Sequence, residues 1–469
     1  MRSSVQVYCS KLPDIKLHGA CQHLINSRRT AIVTSELLRK QGIMAPRYKD
    51  NHVFLKDGRE IRVTMSLPGT FKKLFAVAGG ATAAVLFVNY TGELYKMNYQ
   101  VDEADVFAIR KVNTAYAELQ KNLQQFLKLK TTLQDKNCNS LLKKNLTPTI
   151  LQKLESKKTK QGASLYDIIR SGLHSHDLAI GVYAADPESY HKFAALFDRI
   201  LEDYHGFKPG AKQPAVDFGE EKISEFPPLD PTGKYVKSVR IRCVRSIAGY
   251  PFNPLLSADD YLILERKVKN ALLQIEESEL RGIYYSLGEM PKQTQDELDS
   301  KQLLFSNNNY LLKHANAYNA WPEGRGIFHN RDKSFVVWVN EEDHISIIST
   351  EEGSDIGKIL ARLIRGLKAL EKSLKFARDN RLGWLTSNPT NLGSAVSASV
   401  QIRLPKLSKK SDFMEICEKL NLRTDIYSSG VRDGYFFISN KSSLGLTEYE
   451  TIKQLYDGIK ELIRMEERL

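Results

Sequence analysis

From Ile356 to Phe376 apolar residues recur every three or four positions: Ile359, Leu360, Leu363, Ile364, Leu367 and Leu370. That spacing predicts an amphipathic helix whose stripe is core and not a ligand site. Phe335-Val-Val-Trp-Val339 and Ala398-Ser-Val-Gln-Ile-Arg403 read as strands, rich in β-branched and aromatic residues. Near the N-terminus, Ile61, Val63 and Met65 alternate with Arg62 and Thr64, as on a half-buried strand. Asp57-Gly58 stands between this run and another β-rich run from His52, a type I′ hairpin signal. An isolated hairpin is marginal in water, so it is expected to dock on something.

Two further stretches lie before residue 140. Residues 74–92 carry no charge, with Lys72 and Lys73 before them and Glu93 after. Their length meets the requirement for a membrane-spanning helix, and a buried helix or strand pair is the alternative. Gly79, Gly80, Ala81, Ala83 and Ala84 would give such a helix a close-packing face. Residues 105–135 form a heptad pattern, with Ile109, Tyr116 and Leu123 on one seam. Val112, Leu119, Phe126 and Leu133 fill the other, and Lys130 breaks the first. A coiled coil or a helix packed on its own domain fits this pattern.

Charge sharpens the division. The chain of 469 residues carries +13 overall. Residues 1–140 hold 21 lysines and arginines against 11 acids, a net +10, so the rest supplies only +3. A basic arm suits an acidic protein or membrane surface. Basic and aromatic residues are not interleaved as in a stacking platform, which argues against nucleic acid. Residues 1–47, with Arg2, Arg28, Arg29, Arg39 and Arg47 against Asp14 and Glu36, read either as a mitochondrial presequence or as a basic tail. Cys9, Cys21, Cys138, Cys243 and Cys417 have neither disulfide nor zinc spacing, so a reducing compartment is expected and no metal site is indicated.

Longer motifs fill the remainder. Ser156-Lys-Lys-Thr-Lys-Gln-Gly162 leads into Tyr166-Asp-Ile-Ile-Arg-Ser-Gly-Leu173, then Gly181-Val-Tyr-Ala-Ala-Asp186 and Leu201-Glu-Asp-Tyr-His-Gly206. Arg240-Ile-Arg-Cys-Val-Arg-Ser-Ile-Ala-Gly-Tyr-Pro-Phe-Asn-Pro254, Trp321-Pro-Glu-Gly-Arg-Gly-Ile-Phe-His-Asn330 and Val337-Trp-Val-Asn-Glu-Glu-Asp-His344 follow. Leu385-Thr-Ser-Asn-Pro-Thr-Asn-Leu-Gly393 and Ile438-Ser-Asn-Lys441 complete the set. Over residues 141–469 these words resemble the phosphagen kinase family, the ATP:guanidino phosphotransferases, in its arginine kinase version. The resemblance implies an α+β body: a small all-α domain over 141–230, then a larger domain over 231–469 with an antiparallel sheet flanked by helices.

It also implies which residues do the chemistry. Phosphoryl transfer to a guanidine needs charge neutralisation around polyphosphate and an aligned acceptor nitrogen. Arg240 and Arg242 match the first two of five family arginines. Ser346 and Ser397 stand where the third and fourth would be. The fifth belongs to a loop that runs here from Thr424 to Gly434, shorter than the family's, with Arg423 or Arg432 as partial substitutes. Gln302 and Gln401 replace two histidines of the nucleotide pocket. Glu342 matches a guanidine-holding carboxylate, and Asn388 replaces the family's reactive cysteine. Ser171, Gly172 and Leu173 match the substrate loop or close a helix turn.

Removing charged ligands from a phosphate site is costly. The substitutions therefore lead to the expectation of a catalytically inactive member, a docking component of a membrane or cytoskeletal assembly. It would be held there by protein partners of residues 1–140, and homodimerisation is compatible with the heptads. Mitochondrial inner membrane or intermembrane space is the expected location, with cytoplasm or axoneme as the alternative. No cofactor is expected on this reading. The alternative is an active kinase using MgATP, or a nucleotide sensor binding MgADP.

Overall fold

A computed structural model of the chain describes residues 47–49, 52–54, 60–62, 140–174, 180–425 and 434–469. The chain divides into two compact units, Met1–Phe126 and Leu127–Leu469. In the first, β1 (Arg47–Lys49), β2 (His52–Phe54) and β3 (Glu60–Arg62) make a small antiparallel sheet. β2 pairs with β3 through His52↔Arg62, Val53↔Ile61 and Phe54↔Glu60. An odd number of residues separates these strands, whereas a two-residue turn at Asp57-Gly58 would leave an even number. Asp57-Gly58 itself lies outside the described residues. The uncharged segment 74–92, the heptads of 105–135 and Arg432 lie outside the described residues. Among the described residues no helix is long and apolar enough to cross a membrane.

The second unit begins with five helices: α1 (Leu141–Asn145), α2 (Pro148–Leu154), α3 (Leu165–His174), α4 (Ser189–Lys192) and α5 (Ala194–His205). Ser140 and Thr147 cap α1 and α2 by accepting from backbone amides of the first turn. Leu142, Leu154, Ile168, Phe193, Phe197 and Ile200 form their shared core. Gly172 is required there. A Cβ on it would collide with the Gly181 carbonyl and the Leu142 side chain, so α3 and the Gly181 turn pack backbone to backbone.

Then comes an antiparallel sheet of eight strands in the spatial order β12 (Leu422–Thr424), β13 (Phe436–Asn440), β11 (Val396–Ile402), β4 (Val236–Arg245), β8 (Ile345–Glu352), β7 (Phe335–Val339), β6 (Gly326–Asn330) and β5 (Gly282–Ser286). Separately, β9 (Arg378–Asp379) pairs with β10 (Gly383–Trp384). The centre of the large sheet is β4, paired with β8 on one side and β11 on the other. On β4, Val239, Ile241 and Cys243 are buried while Ser238, Arg240 and Arg242 are only half-buried. The period of two thus sends apolar residues to one face and polar ones to the other. β5, β6 and β7 extend the sheet one way, and β13 and β12 the other. The apolar face is covered by α6 (Ala258–Leu273), α9 (Ile356–Glu371) and α11 (Glu448–Arg468), with the predicted stripe of α9 buried throughout. The short α7 (Lys292–Ser300), α8 (Tyr310–His314) and α10 (Phe413–Lys419) fill connections.

The loop between β7 and β8 is fixed by His344. Its Nδ1 accepts from the Ile247 amide at 2.9 Å, so its Nε2–H donates to the Pro251 carbonyl at 2.9 Å. Burial disfavours the imidazolium and pushes its pKa down to about 4. The unfolded chain, with an ordinary histidine near 6.5, binds that proton first, so this contribution to stability is lost as pH falls. The margin by which wild type exceeds His344→Asn in urea unfolding should shrink by up to about 3 kcal/mol between pH 6.5 and pH 4. A margin independent of pH would mean that His344 takes up its proton in the folded protein as readily as in the unfolded chain.

Candidate active site

The polar face of the sheet carries the first half of the site. Residues paired directly across antiparallel strands point to the same face. Arg242 opposes Ser397 on β11 and Ile348 on β8, and Val244 opposes Ser346. The two serines predicted at arginine positions therefore flank β4 on the face that bears Arg240 and Arg242. Arg242 donates to Ser346 Oγ from Nε at 3.2 Å and from Nη2 at 2.8 Å, and to Glu341 Oε2 at 3.1 Å. Desolvation pushes the Glu341 carboxyl up, and Arg242 opposes the shift. Arg240 Nη2 donates to the Lys301 carbonyl at 3.2 Å, while its buried Nε has no partner. Burial, with the neighbouring Arg242 charge, lowers the Arg240 pKa to about 10, which leaves it cationic at neutral pH. Gln401 accepts from the Ser238 hydroxyl at 3.1 Å. Gln302 follows α7 in a left-handed conformation, next to the Lys301 carbonyl that Arg240 uses.

The second half is a carboxylate held by two amides. Asn388 Nδ2 donates to Glu342 Oε1 at 2.9 Å, and Asn391 Nδ2 donates to Oε2 at 3.2 Å. Asn388 Oδ1 accepts from the backbone N–H and hydroxyl of Thr390 at 3.1 and 3.0 Å. Both polar atoms of the Asn388 side chain are thus engaged, one on Glu342 and one on Thr390. The segment is anchored behind by Asp343, whose Oδ1 accepts from the Ser387 amide at 2.7 Å. Burial and the nearby Glu342 push the Asp343 carboxyl up to about 7.

The structure places Ser171, Gly172 and Leu173 inside α3, all buried, with Ser171 Oγ donating to the Leu311 carbonyl at 3.0 Å. Their burial fits the closing of a helix turn, the other reading of this motif. Arg423 lies on β12, its Nη1 3.4 Å from the Tyr204 hydroxyl. Sequence reasoning missed Asn391, Glu341 and Asp343. All three lie inside the longer motifs, but only contacts across dozens of residues reveal their partners.

The N-terminal domain of ATP:guanido phosphotransferases matches residues 136–202, and their C-terminal catalytic domain matches residues 263–469. A probable arginine kinase of Caenorhabditis elegans is 49% identical over 362 residues, covering 76% of this chain and 88% of its own length. An arginine kinase of Penaeus vannamei is 46% identical over 338 residues, covering 71% and 94%. Among solved structures, the substrate-free duplicated taurocyamine kinase of Schistosoma mansoni is similar with a TM-score of 0.69 at 35% identity. That match covers 73% of this chain and 49% of the other, so the chain spans about half of that duplicated protein. A lombricine kinase crystal structure matches with a TM-score of 0.65 at 33% identity, over 71% and 93%. The chain belongs to the ATP:guanido phosphotransferase family, the phosphagen kinases.

These relatives overturn the expectation of a catalytically inactive docking protein without a nucleotide. Proteins that match along most of their length at 46–49% identity are named arginine kinases, and the family's reaction uses ATP. The expectation erred by counting arginines at matched positions. Phosphate binding responds to the total positive potential and the donors over a site, and those can come from other strands.

Gly172→Ala separates a structural role from a substrate role for the α3 segment. The variant should melt well below wild type, by about 2–3 kcal/mol as overpacking in a tight core does. Unchanged stability with an altered KM would instead assign Gly172 to substrate contact.

Proposed function

We propose that this chain is an ATP:guanidino phosphotransferase acting on arginine. The observation that carries the reading is the Glu342 carboxylate, oriented by Asn388 and Asn391. A carboxylate offers about four lone-pair directions. Two amides use one on each oxygen, and the remainder suit the paired N–H groups of a guanidinium. Glu342 then aligns the acceptor nitrogen for in-line attack on the γ-phosphorus of MgATP. The N–P bond forms as the bond from phosphorus to the ADP oxygen breaks, and the nitrogen's proton leaves to solvent.

Arg240 and Arg242 fit the polyphosphate. Both are cations on the polar sheet face; Arg242 is held by Ser346 and Glu341, and the buried Arg240 Nε has no partner. Their charge offsets the negative charge that spreads over the phosphoryl oxygens during transfer. Arginine is favoured over other guanidines because the more similar relatives carry that name, at 45–49% identity.

ADP release by the full-length chain is measured with MgATP and L-arginine, taurocyamine or lombricine. Turnover is expected with arginine, falling roughly a hundredfold or more in Glu342→Gln. It should also survive thiol alkylation. Asn388 holds the cysteine place, and the described cysteines, Cys243 and Cys417, are buried with thiol pKa values pushed up to about 11. No turnover with any guanidine would overturn the reading, and turnover only with another guanidine would correct the substrate.

A further inference from the structure

Ser346 and Ser397 leave the polyphosphate face with two arginines on β4. The sheet register supplies a third from another strand. Arg240 opposes Ser399 on β11, Ser399 opposes Ser439 on β13, and Ser439 opposes Arg423 on β12. Four residues in one row across four strands share one face. At about 4.8 Å per strand, Arg240 and Arg423 stand roughly 14 Å apart at their backbones, a gap that two extended arginines converge across. The floor between them is Ser399 and Ser439, both small and half-buried.

Arg423 is also free to bind an anion. Among the described residues it pairs with no carboxylate, and its hydrogen bond goes to the neutral Tyr204 hydroxyl of α5. Arg423, Tyr204, Ser397, Thr390 and Ser443 line one small hollow. Lys441 lines it too, but its ammonium is committed to Glu418 at 2.5 Å. The hollow therefore brings a guanidinium, the Ser397 hydroxyl and a phenol to the place where a longer side chain at 397 would project, while the Thr390 and Ser443 hydroxyls beside them donate to Asn388 Oδ1 and the Leu392 carbonyl.

We infer that Arg423 is a phosphate-binding residue of this site, supplying from β12 the positive charge that Ser346 and Ser397 do not. The assignment rests on the phosphotransferase reading above. Arg423 closes the β12 end of a serine-floored row whose other end is Arg240. A polyphosphate lying across the four strands meets cations at both ends and hydroxyl donors along its length.

The test is calorimetric titration of MgADP into full-length wild type, Arg423→Gln and Arg423→Lys, with Arg464→Gln as control. Arg464 is an exposed arginine of α11 beside Glu461. Loss of one charge-assisted contact should weaken MgADP about ten- to hundredfold in Arg423→Gln. Arg423→Lys should recover part of the loss, because it restores the charge without the fork. Arg464→Gln should bind as wild type does. Unchanged affinity in Arg423→Gln overturns the inference and leaves the kinase reading standing. Wild type that does not bind MgADP overturns both.

Discussion

The site depends on one short segment being fastened from two sides. The Ser387 amide donates to Asp343 in the sheet domain at 2.7 Å. The same residue exchanges hydrogen bonds with Ala184 of the helical domain, N–H to carbonyl at 2.7 Å and hydroxyl to carbonyl at 2.9 Å. Tyr190 adds a hydroxyl bond to the Thr386 carbonyl at 2.7 Å. Asn388 and Asn391 follow directly, so their hold on Glu342 inherits this rigidity. Preorganisation of that kind is what alignment chemistry requires, because a displacement of an ångström is felt in rate. The buried Asp343 carboxyl is the cost of the arrangement, and its raised pKa shows that the burial is not fully offset.

The sheet does the complementary task. Strand alternation alone turns Val239, Ile241 and Cys243 inward under α9 and α11, and Arg240 and Arg242 outward. Antiparallel pairing then gathers residues distant in sequence into rows. Ser397 joins Arg242, and Arg423 joins Arg240 by way of Ser439 and Ser399. A cation missing at one position of such a face can be supplied from a neighbouring row, because the field over the face reflects the sum of its charges.

Much of this was legible in the chain. The α9 stripe and the β7 run have the periods of a helix and a strand, and local sequence decides both. Arg240, Arg242 and Glu342 were legible through the motifs around them. The register of β2 with β3 was not, because Asp57-Gly58 signals a turn without setting its length. Nor was the grip of Asn391 on Glu342, or the row that ends at Arg423, since both depend on which strands and loops become neighbours. Ser171 and Leu173 read as a substrate loop by motif, yet helical packing buries them.

For transfer to occur, the arginine-bearing face and the Glu342 clamp must act as one site. The most direct measurement is calorimetric titration of L-arginine into the full-length chain, alone and with MgADP and nitrate present. Planar nitrate stands in for the phosphoryl group in flight, which is metaphosphate-like. Arginine is expected to bind several-fold tighter with MgADP and nitrate present, and Glu342→Gln to abolish the gain. Arginine binding that is indifferent to MgADP and nitrate would contradict it, since two sites that do not meet cannot transfer a phosphoryl group between them.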